Sequence, residues 1–384
     1  MIKKRRLLSV LLLGFICVFS YAELTETTSE HFVIYSDKTL PEVQILEESL
    51  EDFYQLVDEY LTFPTESNLL PYRVYDFSTK EEFQQHLLES SLPTNYQPPI
   101  YLHFETPKYR RLLGVDLVEN WTQTKQQLTI QLIRGAFGTP PYWLQEGYSL
   151  FFSDTNWNNK ISQPQASAWL LEAKKIIKQD NPFQYITNED GSKGVSREAR
   201  IASWAWVNFL VHSPSNFDNR RIWNAWHLVN KSYDRNKNTE AVAQQLFLHS
   251  RNEQEWNIAI KEFYKGQLSF SESLGQLIDY IKNDKSKVVD KITLMENTYP
   301  DMDYRFDYYC GLYYYQNSEW EKSIKYYRQS IKKESPAGLS EYGLILALYK
   351  NNQIPEAKSL WESALIFSEE TYKASLNNLN KLFE

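Results

Sequence analysis

The sequence is poor in cysteine and glycine, with two cysteines and twelve glycines among 384 residues. Gly-x-Ser-x-Gly elbows, glycine-rich phosphate loops and paired-cysteine motifs are all absent from it. These motifs position a serine nucleophile, a phosphate group and a metal ion or redox pair, respectively. Their absence excludes the standard forms of serine hydrolases, P-loop nucleotide-binding proteins and cysteine-ligated metal centres.

Histidine is also scarce. None of the six histidines is followed by glutamate, and no two of them stand four residues apart. The zinc motif H-E-x-x-H and its inverted form need two imidazoles one helical turn apart, so neither motif exists in this chain. His103 and Glu105 share one face of a predicted strand at a spacing that can bind metal, but this pair alone is a weak signal. The histidines are His31, His86, His103, His212, His227 and His249.

The first 22 residues have the pattern of a secretory signal. Four basic residues at 3–6 precede an apolar run at 7–20, and Ser20-Tyr21-Ala22 is a small-x-small cleavage site. The run is too short to span a membrane comfortably, so we expect cleavage after Ala22 and export to the periplasm or the medium. A lipoprotein is the weaker alternative, because Cys17 lacks the small residues that precede a lipidated cysteine.

Loss of the signal makes an acidic chain more acidic. Lysine plus arginine falls from 41 to 37 against 49 acidic residues, so the formal net charge moves from −8 to −12. Such a chain repels nucleic-acid backbones and anionic lipid surfaces. We therefore expect no nucleic-acid partner and no membrane span after cleavage.

Residues 23–105 mix strand and helix signals. Apolar residues at helical spacing predict a helix over 42–61, and Thr79 with Glu82 forms a capping box ahead of another helix that runs to Leu88. Short β-branched and aromatic runs around these helices predict a small sheet with helices packed on it. The predicted strands are residues 31–35, 72–77 and 99–104.

From Asn120 onward the strand signals stop. Residues 121–137 are periodic and end at Gly138, ahead of Pro140-Pro141, which is how a helix terminates. This half of the chain is predicted to be all helix. The further predicted helices are residues 142–153, 164–179, 196–212, 219–230, 239–249 and 254–265.

The C-terminal part contains an internal repeat. Residues 308–331 align with 342–365 at an offset of 34 residues, with large residues opposite large ones and small opposite small. This pattern resembles the tetratricopeptide repeat, whose helix pairs need small residues where helices touch and rings where they interlock. Residues 268–300 could hold an earlier degenerate pair, and residues 369–383 a closing helix. The aligned pairs are Cys310 with Leu344, Tyr314 with Leu348, Trp320 with Ile354, Ser323 with Ala357, Tyr327 with Trp361, and Ser330 with Ala364.

Two positions of the repeat carry separate expectations. Gly311 stands opposite Ile345, which we expect to weaken the contact of the first helix in the second copy. Cys310 occupies a large apolar position, so we predict that it is a core residue rather than a reactive thiol. With Cys17 removed, it is also the last cysteine, and no internal disulfide can form.

The segment PYWLQEG, residues 141–147, points to a known family. Pro141, Trp143, Glu146 and Gly147 reproduce the proline, tryptophan and Glu-Gly that follow the H-E-x-x-H helix of gluzincin peptidases. The segment SWAWVNFLVHS at 203–213 looks like the downstream aromatic helix of that family. The region from His31 to about Gly266 thus resembles the peptidase MA-like gluzincins.

The resemblance also shows what has been lost. It places Gln126 and Ile130 at the two histidine ligands, Gln127 at the general-base glutamate and Glu146 at the third ligand. A glutamine amide is a poor zinc ligand without a titratable proton acceptor, and isoleucine has no lone pair. The resemblance therefore implies a degenerate site with no metal, no cofactor and no catalytic residue.

The surroundings of the degenerate site leave alternatives open. Glu146 is either a relic ligand or a carboxylate favoured by the dipole at a helix N-terminus near Pro141. Ile130 could fill the vacated ligand volume with hydrocarbon, which contributes roughly 1.5 to 3 kcal/mol when fully buried. Tyr142, Trp143 and Tyr148 are candidates for lining the former cleft.

We expect an α+β, mainly helical fold in three parts: a signal peptide at 1–22, a degenerate gluzincin-like domain at 23–266, and α-solenoid repeats of the tetratricopeptide type at 267–384. The gluzincin-like domain would begin with a small strand and helix part and continue as a helical half. The expected function is that of an exported, inactive peptidase-like protein whose repeats bind a protein or peptide in the cell envelope.

Two other functions compete with this one. The first is a hydrolase or metallopeptidase that uses non-standard residues around His103, Glu105 and Glu146. The second is glycan binding through exposed tryptophan and tyrosine rings, since aromatic residues make up 15% of the chain.

Overall fold

The computed structural model describes residues 24–64, 71–155, 164–179, 181–187, 196–299 and 302–384. The chain divides into two compact units, Met1–Gly138 and Thr139–Glu384. The described part is mainly helical, with a small sheet in the first unit. The predicted signal at 1–22 lies outside the described residues. Within those residues, no helix combines the length and the apolar composition needed to cross a membrane.

The first unit contains a five-stranded mixed sheet and three α-helices. The strands are β1 Thr25–Thr28, β2 Phe32–Ser36, β3 Tyr72–Phe77, β4 Ile100–Leu102 and β5 Arg111–Val115, and the helices are α1 Leu40–Leu61, α2 Lys80–Glu89 and α3 Trp121–Phe137. The strand order is β1-β2-β3-β5-β4. The three central strands run parallel, and β1 and β4 pair antiparallel at the two edges.

The core of the first unit follows from the parallel strands. Ile34, Val74 and Leu112 lie in register across β2, β3 and β5, and all three are fully buried. Parallel strands are covered on both faces, which is why they read as apolar runs. The apolar stripe of α1 is likewise buried, and Thr79 caps α2 by accepting a hydrogen bond from the Glu82 N–H at 3.2 Å, as predicted.

The three predicted strands are present, but two strands were missed. No strand was predicted at β1 or at β5, although β5 pairs with both β3 and β4. The strand predicted over 99–104 is too long, because β4 ends at Leu102. His103 and Glu105 therefore lie beyond the strand and do not share a strand face.

The first half of the second unit is helical, as predicted. Its helices are α4 Tyr142–Ser153, α5 Leu170–Ile177, α6 Gln184–Thr187, α7 Arg197–His212, α8 Asn216–Leu228, α9 Arg235–Val242 and α10 Glu253–Gly266. Residues 201–211 of α7 are all buried, and α7 packs against α4, α5, α8 and α10. A Cβ at Gly147 would lie 2.6 Å from the Ser203 carbonyl oxygen, so glycine permits the close approach of α4 and α7.

Three helix predictions in this half differ from the structure. The helix predicted over 219–230 begins at Asn216 and ends at Leu228, as α8. The helix predicted over 164–179 is a 3-10 turn, Pro164–Ala166, followed by α5. The helix predicted over 239–249 begins earlier, as α9, and continues as a π-helix over Ala243–Leu248. The predicted domain boundary at residue 266 lies within the second unit, at the end of α10.

Helical hairpins follow α10. The helices are α11 Phe270–Asn283, α12 Val288–Thr298, α13 Tyr304–Gln316, α14 Trp320–Lys332, α15 Leu339–Lys350, α16 Ile354–Phe367 and α17 Glu370–Asn377, the last continued by a 3-10 turn over Asn378–Leu382. The hairpin α13–α14 and the hairpin α15–α16 match at the offset read from the sequence, because Gln316 and Lys350 end their first helices and Trp320 and Ile354 begin their second helices. The earlier pair, α11–α12, and the closing helix, α17, are also present.

Tyr327 is the central ring of the hairpins. It is 3% exposed, and a Cβ at Gly311 on α13 or at Gly343 on α15 would lie 2.8 Å or 2.3 Å from its ring atoms. The two glycines thus make room for the ring between neighbouring helices. Ile345, expected to weaken the contact of the first helix in the second copy, is fully buried in the apolar cluster. Cys310 is a fully buried core residue, as predicted, and burial raises the pKa of its thiol.

Candidate functional site

The residues of the degenerate zinc motif are divided between the two units. Gln126, Gln127 and Ile130 lie on α3 in the first unit, and Glu146 lies on α4 in the second. Gly138 ends α3 with φ +81°, a backbone conformation that favours glycine, and Pro141 caps the start of α4. The helix bounds on both sides of this turn agree with those predicted.

Gln127, at the position of the general base, makes a structural hydrogen bond. Its side-chain oxygen accepts from the backbone N–H of Tyr101 on the edge strand β4, at 3.1 Å. A strand edge leaves backbone groups without a strand partner, and this amide satisfies one of them. An amide oxygen can accept this bond but cannot take a proton from water at neutral pH. The residue therefore holds the sheet edge to α3.

Ile130 does not fill a buried space as expected. It is half-buried, as is Gln126, whereas Ile133 and Phe137 further along the helix are buried in the core. The prediction that Ile130 gains the stabilisation of a fully buried side chain is therefore wrong. The apolar contacts that fix this part of α3 come from its other positions.

Glu146 is held by an ion pair. Its Oε2 accepts from Arg200 Nε on α7 at 2.9 Å, and its Oε1 accepts from the Gln145 side chain at 3.0 Å. The carboxylate is 9% exposed and the guanidinium 31%. Glu146 is the fifth residue of α4, beyond the first turn, so the helix-dipole interpretation is wrong. Both oxygens of the one matching ligand position are engaged, and the adjacent cation opposes the binding of a metal cation.

Arg235 stabilises the turn before α4. This guanidinium donates to the Pro140 carbonyl at 2.9 Å and to the Gln145 side-chain oxygen at 3.1 Å. It also lies 3.6 Å from the centroid of the Tyr142 ring, a cation–π contact. The segment PYWLQEG is therefore held in place by two arginines of later helices, on α7 and α9.

Two of the three rings proposed to line the former cleft are core residues. Trp143 is 1% exposed and meets Phe247 edge-on, and Tyr148 is fully buried and stacked on Phe152. Side chains with this exposure do not line a solvent-filled cleft, so the prediction is wrong for both. Tyr142 is half-buried under the guanidinium of Arg235. Trp223 is 36% exposed, but four further tryptophans of the described chain are buried, which weakens the case for glycan binding: Trp204, Trp206, Trp226 and Trp256.

The alternative site around His103 has its proposed members in both units. His103 Nδ1 lies 2.7 Å from the Tyr101 hydroxyl, and Glu105 is exposed on the loop after β4. Glu146, its third proposed member, belongs to the other unit. Among the described residues, no group of three or more His, Cys, Asp or Glu side chains is placed to hold a metal ion.

His212 gives the second unit a pH-dependent stability. It ends α7 with its ring 6.1 Å from that of Phe151, and burial lowers its pKa to about 4. Because the folded pKa lies below the unfolded value of about 6.5, stability is full above that value and falls as the pH drops toward 4. We expect a loss of about 2 kcal/mol between pH 7.5 and pH 5. Urea unfolding of the native chain and of His212→Gln at both pH values measures this loss, which the variant should not show. The prediction is contradicted if the free energy of unfolding changes equally with pH in both proteins.

The repeat hairpins share a face that the alignment of core positions does not reveal. Three residues of α13 recur unchanged in α15 at the repeat offset, and all six are half-buried. The aligned buried positions, in contrast, differ in residue type, as for Tyr314 and Leu348. The identity can be read from the sequence at the repeat offset, whereas the burial of these positions cannot. We call these residues the tyrosine-leucine face: Tyr308, Leu312 and Tyr315 on α13, and Tyr342, Leu346 and Tyr349 on α15.

Comparison of the chain with protein-family models, with curated proteins and with solved structures finds no match. Its function is therefore inferred from the contacts of its own residues.

Proposed function

We propose that this is an exported, catalytically inactive peptidase-like protein whose helical hairpins bind a protein or peptide partner in the cell envelope. Its resemblance to the gluzincins rests on PYWLQEG and on the aromatic helix α7. The loss of catalysis is supported by the roles taken by the motif positions. Gln127 binds the edge of the sheet, and Glu146 is neutralised by Arg200.

The observation that carries the binding function is the tyrosine-leucine face. Core residues of a repeat can be substituted in compensating pairs, because only the total packed volume is constrained. The half-buried positions of α13 and α15 instead keep the same three residues, while the buried rings beside them differ. Five of the six residues also pack against the apolar cluster beneath them. Their identity in both copies, beside buried positions that differ, favours a role of their exposed sides in addition to packing.

The chemistry of the face indicates the kind of partner. Tyrosine offers a large, rigid ring with a hydroxyl at its tip, and leucine between two tyrosines offers only hydrocarbon. The same surface presented twice along stacked helices suits an extended polypeptide that places apolar side chains at a regular spacing. A sugar chain would need more hydrogen-bonding groups than this face contains.

A quantitative pull-down tests the proposal. The full chain, the variant Tyr308→Ala/Tyr342→Ala and the control Ile366→Ala/Phe367→Ala are used as baits for a cell-envelope extract. The control removes two apolar residues of α16 that are 71% and 76% exposed and lie outside the face. We expect a partner that binds the native chain and the control equally and the face variant at least tenfold more weakly.

Two results would contradict the proposal. One is equal capture of every partner by all three folded proteins, with folding checked by thermal melting. The other is hydrolysis of a broad peptide library by the native protein together with stoichiometric zinc, because the degenerate site would then be an active one.

A further inference from the structure

Two arginines of the second unit lie against one partly exposed ring. Phe217, on α8, is 43% exposed and stacked on Trp256 of α10, with ring centroids 6.4 Å apart. The guanidinium carbon of Arg221 lies 4.2 Å from the centroid of Phe217, and that of Arg251 lies 4.7 Å from it. Both cations thus lie against the Phe217 ring, and Arg251 also lies 4.7 Å from the centroid of Trp256.

Each guanidinium is fixed by a different group. Arg221 donates to the Leu246 carbonyl at 2.7 Å, and Arg251 pairs with Asp218 at 2.7 Å. Leu246 belongs to the π-helix Ala243–Leu248, and π-helical turns often occur at functional sites. Donors held in place before a ligand arrives lose little entropy on binding.

The charges of this cluster do not balance. The ion pairs described here contain one carboxylate, Asp218, for the two guanidinium groups. Asp218 is buried, and its second oxygen accepts from the Ser213 hydroxyl at 3.3 Å. Burial and the positive charge of Arg251 lower the pKa of Arg221, which remains protonated because arginine titrates far above neutrality. The cluster therefore keeps a net positive charge beside an exposed ring.

We propose that Arg221 and Arg251 form a binding site for an oxyanion, a carboxylate or phosphate group whose apolar neighbour rests on Phe217. The hydrogen bonds and ion pairs described for these arginines use one nitrogen of each, so further N–H groups of both forks can bind oxygen atoms. Arginine forks match the geometry of carboxylate and phosphate oxygens. Phe217 is the second residue of α8, where the helix dipole adds positive potential.

Calorimetric titration of the full chain at constant ionic strength tests the site. The probes are inorganic phosphate, acetate, and a hexapeptide ending in leucine with a free or an amidated C-terminus. We expect saturable binding that Arg221→Gln weakens at least tenfold. Arg220→Gln, which removes an exposed arginine one residue away, should bind like the native chain.

The probes separate the two sources of the oxyanion. Tighter binding of the free peptide than of its amide assigns the site to a peptide C-terminus, and tighter binding of phosphate assigns it to a phosphate group. Arg251→Lys keeps the charge beside Asp218 but removes the fork, so it should weaken binding without unfolding the protein. The site is overturned if no probe binds saturably, or if Arg221→Gln binds as tightly as Arg220→Gln.

Discussion

Replacement of Arg200 by methionine is expected to lower the free energy of unfolding by about 3 kcal/mol, because removal of one partner leaves the other charge buried and unpaired. Glu146 is 7% exposed, and its Oε2 would lose the bond to Arg200 Nε. The methionine keeps most of the apolar contact of the arginine stem, so the loss reports mainly on the charge. Urea unfolding at neutral pH measures it.

Arg197 provides the matched control on the same helix. It pairs with Glu172 at 2.7 Å, but the two side chains are 68% and 42% exposed. Water screens such a pair, so Arg197→Met should cost less than about 1 kcal/mol. The double variant Glu146→Met/Arg200→Met should recover most of the stability lost in Arg200→Met, since no charge is left unpaired. Equal losses for Arg200→Met and Arg197→Met would show that Glu146 does not depend on its partner.

This prediction also bears on the proposed loss of catalysis. A gluzincin glutamate has to offer its oxygens to zinc, whereas Glu146 offers them to Arg200 and Gln145. If stability depends on the ion pair, folding alone accounts for a glutamate at this position. Matching the family at Glu146 is then no sign of activity.

The bounds of α3 and α4 were predictable because strong local signals mark them. Gly138 adopts a positive φ at the end of one helix, and Pro141 caps the start of the next. Such signals act within a few residues and depend little on the rest of the fold. The helical hairpins were equally predictable, because the period of the repeat can be read from the sequence.

The missed strands lacked such signals. β1 reads TETT, a polar edge strand that alternation does not reveal, and β5 reads RLLGV, a short apolar run that a buried helix could share. β5 contains Gly114, where a Cβ would lie 2.1 Å from the Leu117 side chain. The position of β5 between β3 and β4 depends on pairing with residues that are distant in the chain. A local sequence pattern carries no information about such residues.

The candidate site, too, was predictable from the sequence only where local information is enough. The sequence shows that Gln126, Gln127 and Ile130 cannot form a zinc site, because that conclusion needs only residue chemistry. It does not show that Arg200, 54 residues further along the chain, neutralises Glu146. It also does not show which rings are buried, and the burial of Trp143 and Tyr148 is what corrected the predicted cleft.

Replacement of Tyr327 by alanine is expected to have the largest effect on the hairpins, a loss of about 3 to 4 kcal/mol, because a buried ring is replaced by a cavity. The ring lies against Gly311 of α13 and Gly343 of α15, and neither glycine has a side chain that could fill the space. Tyr327→Phe keeps the ring and should cost less than about 1 kcal/mol. Urea unfolding of the three proteins measures the difference.

The same variant connects packing with the proposed function. Tyr327 fixes α13 relative to α15, so its loss should change the spacing between the two copies of the tyrosine-leucine face without altering any residue of that face. We expect Tyr327→Ala to weaken partner binding at least as much as Tyr308→Ala, under conditions in which the protein remains folded by circular dichroism. Gly343→Val tests the same spacing from α15. The Cβ of the valine would lie 2.3 Å from the Tyr327 ring and force the helices apart. If both packing variants bind the partner like the native chain, the two copies of the face do not act together, and the repeat would contribute stability rather than recognition.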